Sequence, residues 1–222
     1  MKDRFTAEEL LKNYTEFRNR INLYFSKNEV RLNALNKMYD HFEDRIIYTP
    51  ASSQSNFHNA FPGGYIDHVM RVIDFSIEHY NLYIKLGISV DNISKESLLF
   101  CALNHDLGKL GSEDEDLYIP NDSEWHVLNH GKIYKFNPNL NFMDVNSRTF
   151  YLLNHFGVKL TDEEWIGIKL TDGMYVEDNK QYYVSYDNNI NGHLPYILHS
   201  ADSCASRVEN EQFNNNKQLL NG

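Results

Sequence analysis

Apolar residues recur along this chain at three- and four-residue steps, the spacing of one face of an α-helix. Leu10, Tyr14, Phe17, Ile21 and Phe25 form such a stripe over residues 6–25. Thr6 can cap that helix, and Glu9 three residues later completes a capping box. Leu32, Leu35, Met38, Tyr39 and Phe42 predict a second helix over 29–45. A tight FPGG turn at 61–64 feeds a long helix over 65–86, which ends at the C-cap residue Gly87. The run SLLFCALNHD predicts a core helix over 94–106 that stops at Gly108. Shorter helices are expected over 123–134, 145–156 and 161–171, and a strong last helix over 193–210. Residues 49–59 and 111–122 read as loops. Residues 173–192 break the helical pattern: 182–186 has strand character and 187–192 is turn material. The predicted fold is therefore an all-α bundle with a small irregular or hairpin insertion near 173–192. Residues 1–48 are expected to be helices packing on the bundle, 49–210 the main domain and 211–222 a frayed tail, as one structural unit.

A chain of 222 residues can bury a sizeable core without disulfides. With 41% hydrophobic and 23% charged residues, a disordered or fibrous chain is ruled out. Acids outnumber bases 31 to 21, for a net charge of −10, which argues against a broad basic surface for long duplex nucleic acid. The charge of any phosphate substrate must then be met locally, by metal ions or a few lysines. Cys101 and Cys204 supply neither a disulfide framework nor a CxxC zinc motif, and both read as small buried hydrophobes. The start MKDRFTAEEL has no apolar segment of a secretory signal, and no apolar run approaches a membrane span. A cytoplasmic protein without a membrane partner is the expectation.

The chemistry gathers around NHDLGK. His105 and Asp106 are adjacent at the end of the apolar helix, and Gly108 ends that helix, which frees its last turn to aim both side chains at one point. Lys109 places a cation beside them. An imidazole and a carboxylate held this way suit a divalent transition metal. His68 has mostly apolar helical neighbours and faces inward. Asp202 is flanked by Leu198, Ala201 and Ala205, and a carboxylate in that company must be paired or metal-bound. His130 and His155 each end a short apolar stretch, where a histidine can also simply cap a helix. His126 is a rival to His130, and His199 stands one turn before Asp202.

This order of residues resembles the HD superfamily of metal-dependent phosphohydrolases, whose signature is H…HD…H…H…D on a helical bundle. The likeness is nearest to the branch containing the HD-domain 3′–5′ exoribonucleases. It rests on PASSQSNFHNAFPGGYIDHVMRV (50–72), LLFCALNHDLGK (98–109) and LPYILHSADSCASR (194–207), and spans roughly residues 30–210. The resemblance implies that His68, His105, Asp106 and Asp202 would bind a first divalent ion, with His130 and His155 serving a second. Asp106 would bridge the pair, and a metal-activated hydroxide would attack phosphorus. Lys109 would neutralise phosphate charge, and His58 would touch the phosphate or donate a proton.

The first ~50 residues are too short for the OB-type nucleic-acid module that precedes the HD domain in those exoribonucleases. Tyr175, Tyr182, Tyr183 and Tyr186 lie in the individual segment 173–192 and can stack on a base, or pack within a hairpin. The expected activity is hydrolysis of phosphomonoesters or phosphodiesters in nucleotides or short single-stranded oligonucleotides, using one or two ions of Mn, Fe, Ni, Mg or Zn. Two alternatives share the pattern: an HD-fold di-iron oxygenase, and a non-catalytic nucleotide-binding module. A homo-oligomer is compatible with all three.

Overall fold

The computed structural model describes residues 5–184, 190 and 192–221, with side chains through 215. The first helix, α1 (Ala7–Tyr24), opens with the expected capping box: Thr6 Oγ1 accepts from Glu9 N at 3.2 Å, and Thr6 N donates to Glu9 Oε2 at 2.7 Å. Its stripe of Leu10, Tyr14, Phe17 and Ile21 is buried. The next segment forms α2 (Glu29–His41) and a single turn α3 (Glu43–Ile46), separated at Phe42.

Two helices form the centre of the bundle. The longer, α4 (Gly64–Lys85), buries Tyr65, Ile66, His68, Val69, Val72, Ile73 and Ser76 along one face. The shorter, α5 (Lys95–Asn104), is buried at every position from Ser97 to Asn104. A helix buried all round must be surrounded by others. Here α4, α8 (Asp162–Lys169) and α10 (Leu194–Asn221) pack against it. The most extensive pairing in the fold is α4 with α10. Phe25 meets Phe100 edge-on at 6.3 Å, and Phe17 meets Tyr39 at 5.1 Å, so the N-terminal helices share one core with the rest. Burying each such side chain stabilises the fold by about 1.5–3 kcal/mol.

A buried ion pair also joins the N-terminal helices to the bundle. Arg31 on α2 donates to both oxygens of the fully buried Glu164 on α8, at 2.7 and 3.0 Å. The Arg31 guanidinium lies 4.5 Å from the centre of the Phe100 ring. Removing one partner of such a pair costs about 3–5 kcal/mol, because the other charge stays buried.

The remaining elements differ in detail from the sequence expectation. The helix expected over 123–134 is shorter, α6 (Glu124–His130), because Gly131 caps it in the left-handed conformation. Residues 134–136 then form a strand, β2 (Tyr134–Phe136), antiparallel to β1 (Tyr118–Pro120) at the end of the acidic loop. The register pairs Tyr118 with Phe136 and Pro120 with Tyr134. Next comes α7 (Val145–His155), which packs on a 3₁₀ turn at Leu107–Leu110.

Residues 173–184 take the irregular form of the two expected for this insertion, not the hairpin. Two 3₁₀ turns, Gly173–Tyr175 and Glu177–Asn179, lead into the short helix α9 (Lys180–Val184). Tyr186 and most of 185–191 lie outside the described residues. The segment expected as a tail continues the last helix, since α10 runs to Asn221. Among the described residues no helix is long and apolar enough to cross a membrane.

Candidate metal centre

Three helix ends or faces converge at one point. His68 lies just past the first turn of α4, where the FPGG turn feeds that helix. Gly63 occupies the left-handed region at φ 80°, and a Cβ on Gly64 would stand 2.0 Å from the carbonyl oxygen of Asn59. The glycines thus let the 50–60 loop fold tightly back over the start of α4. That fold places the ring of His58 on the ring of His68, with centres 4.6 Å apart.

His105 and Asp106 follow α5, as the end of that helix predicts. A Cβ on Gly108 would meet Val145 O at 2.1 Å, so only glycine admits the close approach of α7. Thr149 on α7 fixes the turn by accepting a hydrogen bond from Gly108 N at 2.8 Å. The turn brings Lys109 Nζ back to 2.5 Å from Asp106 Oδ2. Asp202 comes from the face of α10 that packs on α4.

The donor atoms have metal-site spacing. His68 Nε2 stands 3.2 Å from Asp202 Oδ1, 3.4 Å from His105 Nε2 and 3.5 Å from Asp106 Oδ2. His105 Nε2 is 3.5 Å from Asp106 Oδ2 and 3.9 Å from Asp202 Oδ1. Two ligands each about 2.1 Å from one ion stand roughly 3.0–3.4 Å apart, so small closures satisfy a shared ion. Two overlapping sets, His58–His68–Asp106 and His68–His105–Asp202, each bring three donors within 4.8 Å of one another. Within these sets, His58 Nε2 and Asp106 Oδ2 are buried without a hydrogen-bond partner. The second faces Lys109 as an ion contact, so its charge is met although no aligned hydrogen bond forms.

The far sides of the rings are already engaged. His105 Nδ1 donates to Ala102 O at 2.9 Å. His68 Nδ1 lies 3.1 and 3.2 Å from the two carboxylate oxygens of Glu209, a fully buried residue that also accepts from Arg71 Nε at 3.2 Å. Both rings therefore present Nε2 to the centre, the arrangement that ligating histidines adopt. Without a metal, a proton fills the place of the cation. Burial disfavours charge on His68, but its hydrogen bonds to Asp202 and Glu209 prevail and raise its pKa to about 10. Burial likewise opposes ionisation of Asp106, and Lys109 and His105 outweigh it, holding the carboxyl well below its usual range. The His58 imidazole is pushed down to about 2 by burial, with Lys109 and His68 adding to the shift, so it stays neutral.

His58, His68, His105, Asp106, Lys109 and Asp202 are thus brought together as the sequence predicts. His130 and His155, which the resemblance implies as ligands to a second ion, are not. Both are exposed and belong to neither donor set. His130 is the last residue of α6 and packs on Trp125. His155 pairs with Glu113 through Nδ1 at 3.0 Å. His126 bonds Ser123 Oγ at 2.8 Å on the exposed face of α6. His199 donates through Nδ1 to Thr171 O at 2.6 Å rather than to Asp202. Cys101 is buried and its thiol points to Glu164 O, while Cys204 is half-buried.

A cleft of about 1070 Å³ opens beside the centre, with His58 and Asp202 in its wall. Tyr175 lines it and is exposed, as expected. Tyr182 and Tyr183 do not: both lie half-buried on α9, and Tyr183 donates to Leu170 O at 3.4 Å and packs on Tyr196. Both ride on α9, beyond two 3₁₀ turns rather than in the expected hairpin, and neither is in the cleft lining. Three residues escaped the sequence reading. Glu209 stands seven residues after Asp202, two turns along one helix, which is a legible signal for a shared face. Asp172 lines the cleft, and its crowded setting and the charges of Asp106 and Asp202 push its carboxyl pKa up. Arg207 lines the same wall, and in sequence it is only an arginine near the end of a helix.

Compared with known proteins, the chain matches no protein-family model, no curated protein and no solved structure at a significant level.

Proposed function

We propose that this chain is a divalent-metal-dependent phosphohydrolase of the HD type, acting on nucleotides. The observation that carries the reading is the convergence of His68, His105, Asp106 and Asp202 at 3.2–3.9 Å, with Lys109 alongside. The neutral, unpartnered His58 Nε2 completes the donor set from the cleft side.

One ion suits this geometry better than two. Both donor sets contain His68, and Glu209 engages its Nδ1, so a single free nitrogen serves both. A lone pair binds one ion. Three imidazoles with two carboxylates favour a first-row transition ion over magnesium, which prefers oxygen donors and water. When bound, such an ion supplies Lewis acidity and a water that ionises near neutral pH. The side chains do the rest. Asp106, just past the end of α5, and Asp202 on α10 would hold such an ion together with the histidines. Lys109, held charged beside Asp106, meets the developing negative charge on a phosphate oxygen. His58 stays neutral and offers the substrate a hydrogen bond from the cleft wall. A di-iron oxygenase would need further ligands, and among the described residues His130 and His155 do not supply them.

The test is a hydrolysis screen with added manganese on wild type and Asp106→Ala in parallel. The panel holds bis-p-nitrophenyl phosphate, nucleoside mono- and triphosphates, cyclic nucleotides and short single-stranded RNA and DNA. Activity in wild type that disappears in the variant supports the reading. Silence in both, with metal bound to wild type, sinks it.

A further inference from the structure

We infer that Arg207 is a specificity residue that binds a second phosphate, adjacent to the one at the metal centre, and so selects substrates carrying two phosphate groups. This rests on the phosphohydrolase reading for the first phosphate. Arg18, Arg20, Arg31, Arg45, Arg71 and Arg148 each make an ion pair or a hydrogen bond. Arg207 makes none among the described residues, and it is an exposed residue in the lining of the cleft that also holds His58 and Asp202. In a chain of net charge −10, a guanidinium left without a carboxylate beside a metal centre is poised for an anion from outside.

The spacing fits. Arg207 lies five residues beyond Asp202 on α10, about 140° around the helix yet lining the same cleft, at a rise of about 7.5 Å along the axis. That is comparable with the step between neighbouring phosphates in a nucleotide strand. Ser206 and Asn210 flank Arg207 on the cleft wall as neutral donors. Asn210 Nδ2 donates to Asn56 O at 3.2 Å, which anchors the loop that carries Phe57 and His58 to α10. Phe57 and Tyr175, 48% and 86% exposed, bring aromatic faces to the same cleft for a base to stack on. Glu211 and Asp172 also line the cleft, so its field is not uniformly positive. The second phosphate must therefore be recognised by Arg207 itself rather than by general attraction.

The experiment is calorimetric titration of two ligands that differ by one phosphate, the dinucleotide ApA and its 5′-phosphorylated form pApA. Each is run at low salt in EDTA and again with calcium, on wild type, Arg207→Ala, Arg207→Lys and the distant surface control Lys85→Ala. Wild type and Lys85→Ala should bind pApA about 10-fold or more tighter than ApA, the discrimination expected of one charged bidentate contact. Arg207→Ala should lose the difference, and Arg207→Lys should recover part of it. The pApA salt slope should fall by about 0.7 in Arg207→Ala, one phosphate's worth for a single strand. No preference in wild type, the same preference in Arg207→Ala, or no binding of either ligand in both conditions overturns the assignment. A manganese assay of wild type on bis-p-nitrophenyl phosphate separates the two readings. Hydrolysis without a pApA preference removes only the role of Arg207, and preference without hydrolysis removes only the phosphohydrolase.

Discussion

Replacing Glu209 by glutamine probes whether the buried carboxylate behind His68 serves the candidate metal centre or only the packing of α10. Its oxygens lie 3.1 and 3.2 Å from His68 Nδ1, and it has no exposure to solvent. At an effective dielectric of ~20, a carboxylate and an imidazolium at that distance attract by about 5 kcal/mol before desolvation is subtracted. The amide keeps the shape and one acceptor but removes the charge, so the ring loses much of the basicity that favours binding a cation. Loss of such an outer partner typically lowers metal affinity ~10–100-fold, which is about 1.4–2.8 kcal/mol. Arg71 retains its contact with Asp67 at 3.4 Å, so the cost to folding in EDTA should be about 1–3 kcal/mol. The assay is competition titration of zinc against a chelator, paired with urea denaturation of the metal-free protein. Because the substitution also lowers the His68 pKa, protons compete less well in the variant. Affinities are therefore compared near pH 7 and again above the wild-type His68 pKa of about 10. A folded Glu209→Gln protein whose zinc affinity stays within twofold of wild type at both pH values would refute the positioning role.

Two further outcomes follow from the same geometry. His130→Ala and His155→Ala should each leave metal affinity and stoichiometry within about twofold of wild type, since neither joins a donor set; a drop from two bound ions to one, read by metal analysis, would restore the binuclear site. The second outcome concerns pH. The pKa of His68 is raised from 6.5 to about 10 in the fold, so its proton stabilises the native state fully below pH 6.5, and that stability is lost as pH climbs toward 10. The groups facing it are Asp106, Asp202 and Glu209, with His105 and His58 as neighbouring imidazoles. The urea midpoint in EDTA should fall across that window and fall less with zinc bound, because the metal takes the proton's place. A flat profile in EDTA would show that His68 is not the protonated member of the cluster.

Much of this architecture is written in local sequence, and the reason is that helices are local. The capping box of Thr6 and Glu9, the stripe from Leu10 to Ile21 and the glycine turn before α4 depend on residues a few positions apart, and each forms as the spacing predicts. The same holds for the HD doublet. An apolar α5 ending at Asn104 must deliver His105 and Asp106 to the interior, whatever packs around it. His68 and Asp202 were legible because an ionisable group on an apolar face has few uses other than pairing or ligation.

Other features depend on which surfaces meet, and no local pattern encodes that. His130 and His155 each end a short apolar stretch, as inward-facing histidines can, yet they end helices at the surface. The tyrosines of 182–183 look alike in sequence to Tyr175, but a 3₁₀ turn and the start of α9 separate Tyr183, packed on Tyr196 of α10, from Tyr175 on the cleft wall. The seven-residue step from Asp202 to Glu209 puts both on α10, but only its packing along α4 sets one on each side of the His68 ring. The sequence by itself determined the helices, their buried faces and the doublet, because each rests on contacts within a few residues. Tertiary structure alone decided which histidines converge, how the far sides of their rings are engaged and which arginine among the described residues is left unpaired, because those depend on distances between helices far apart along the chain.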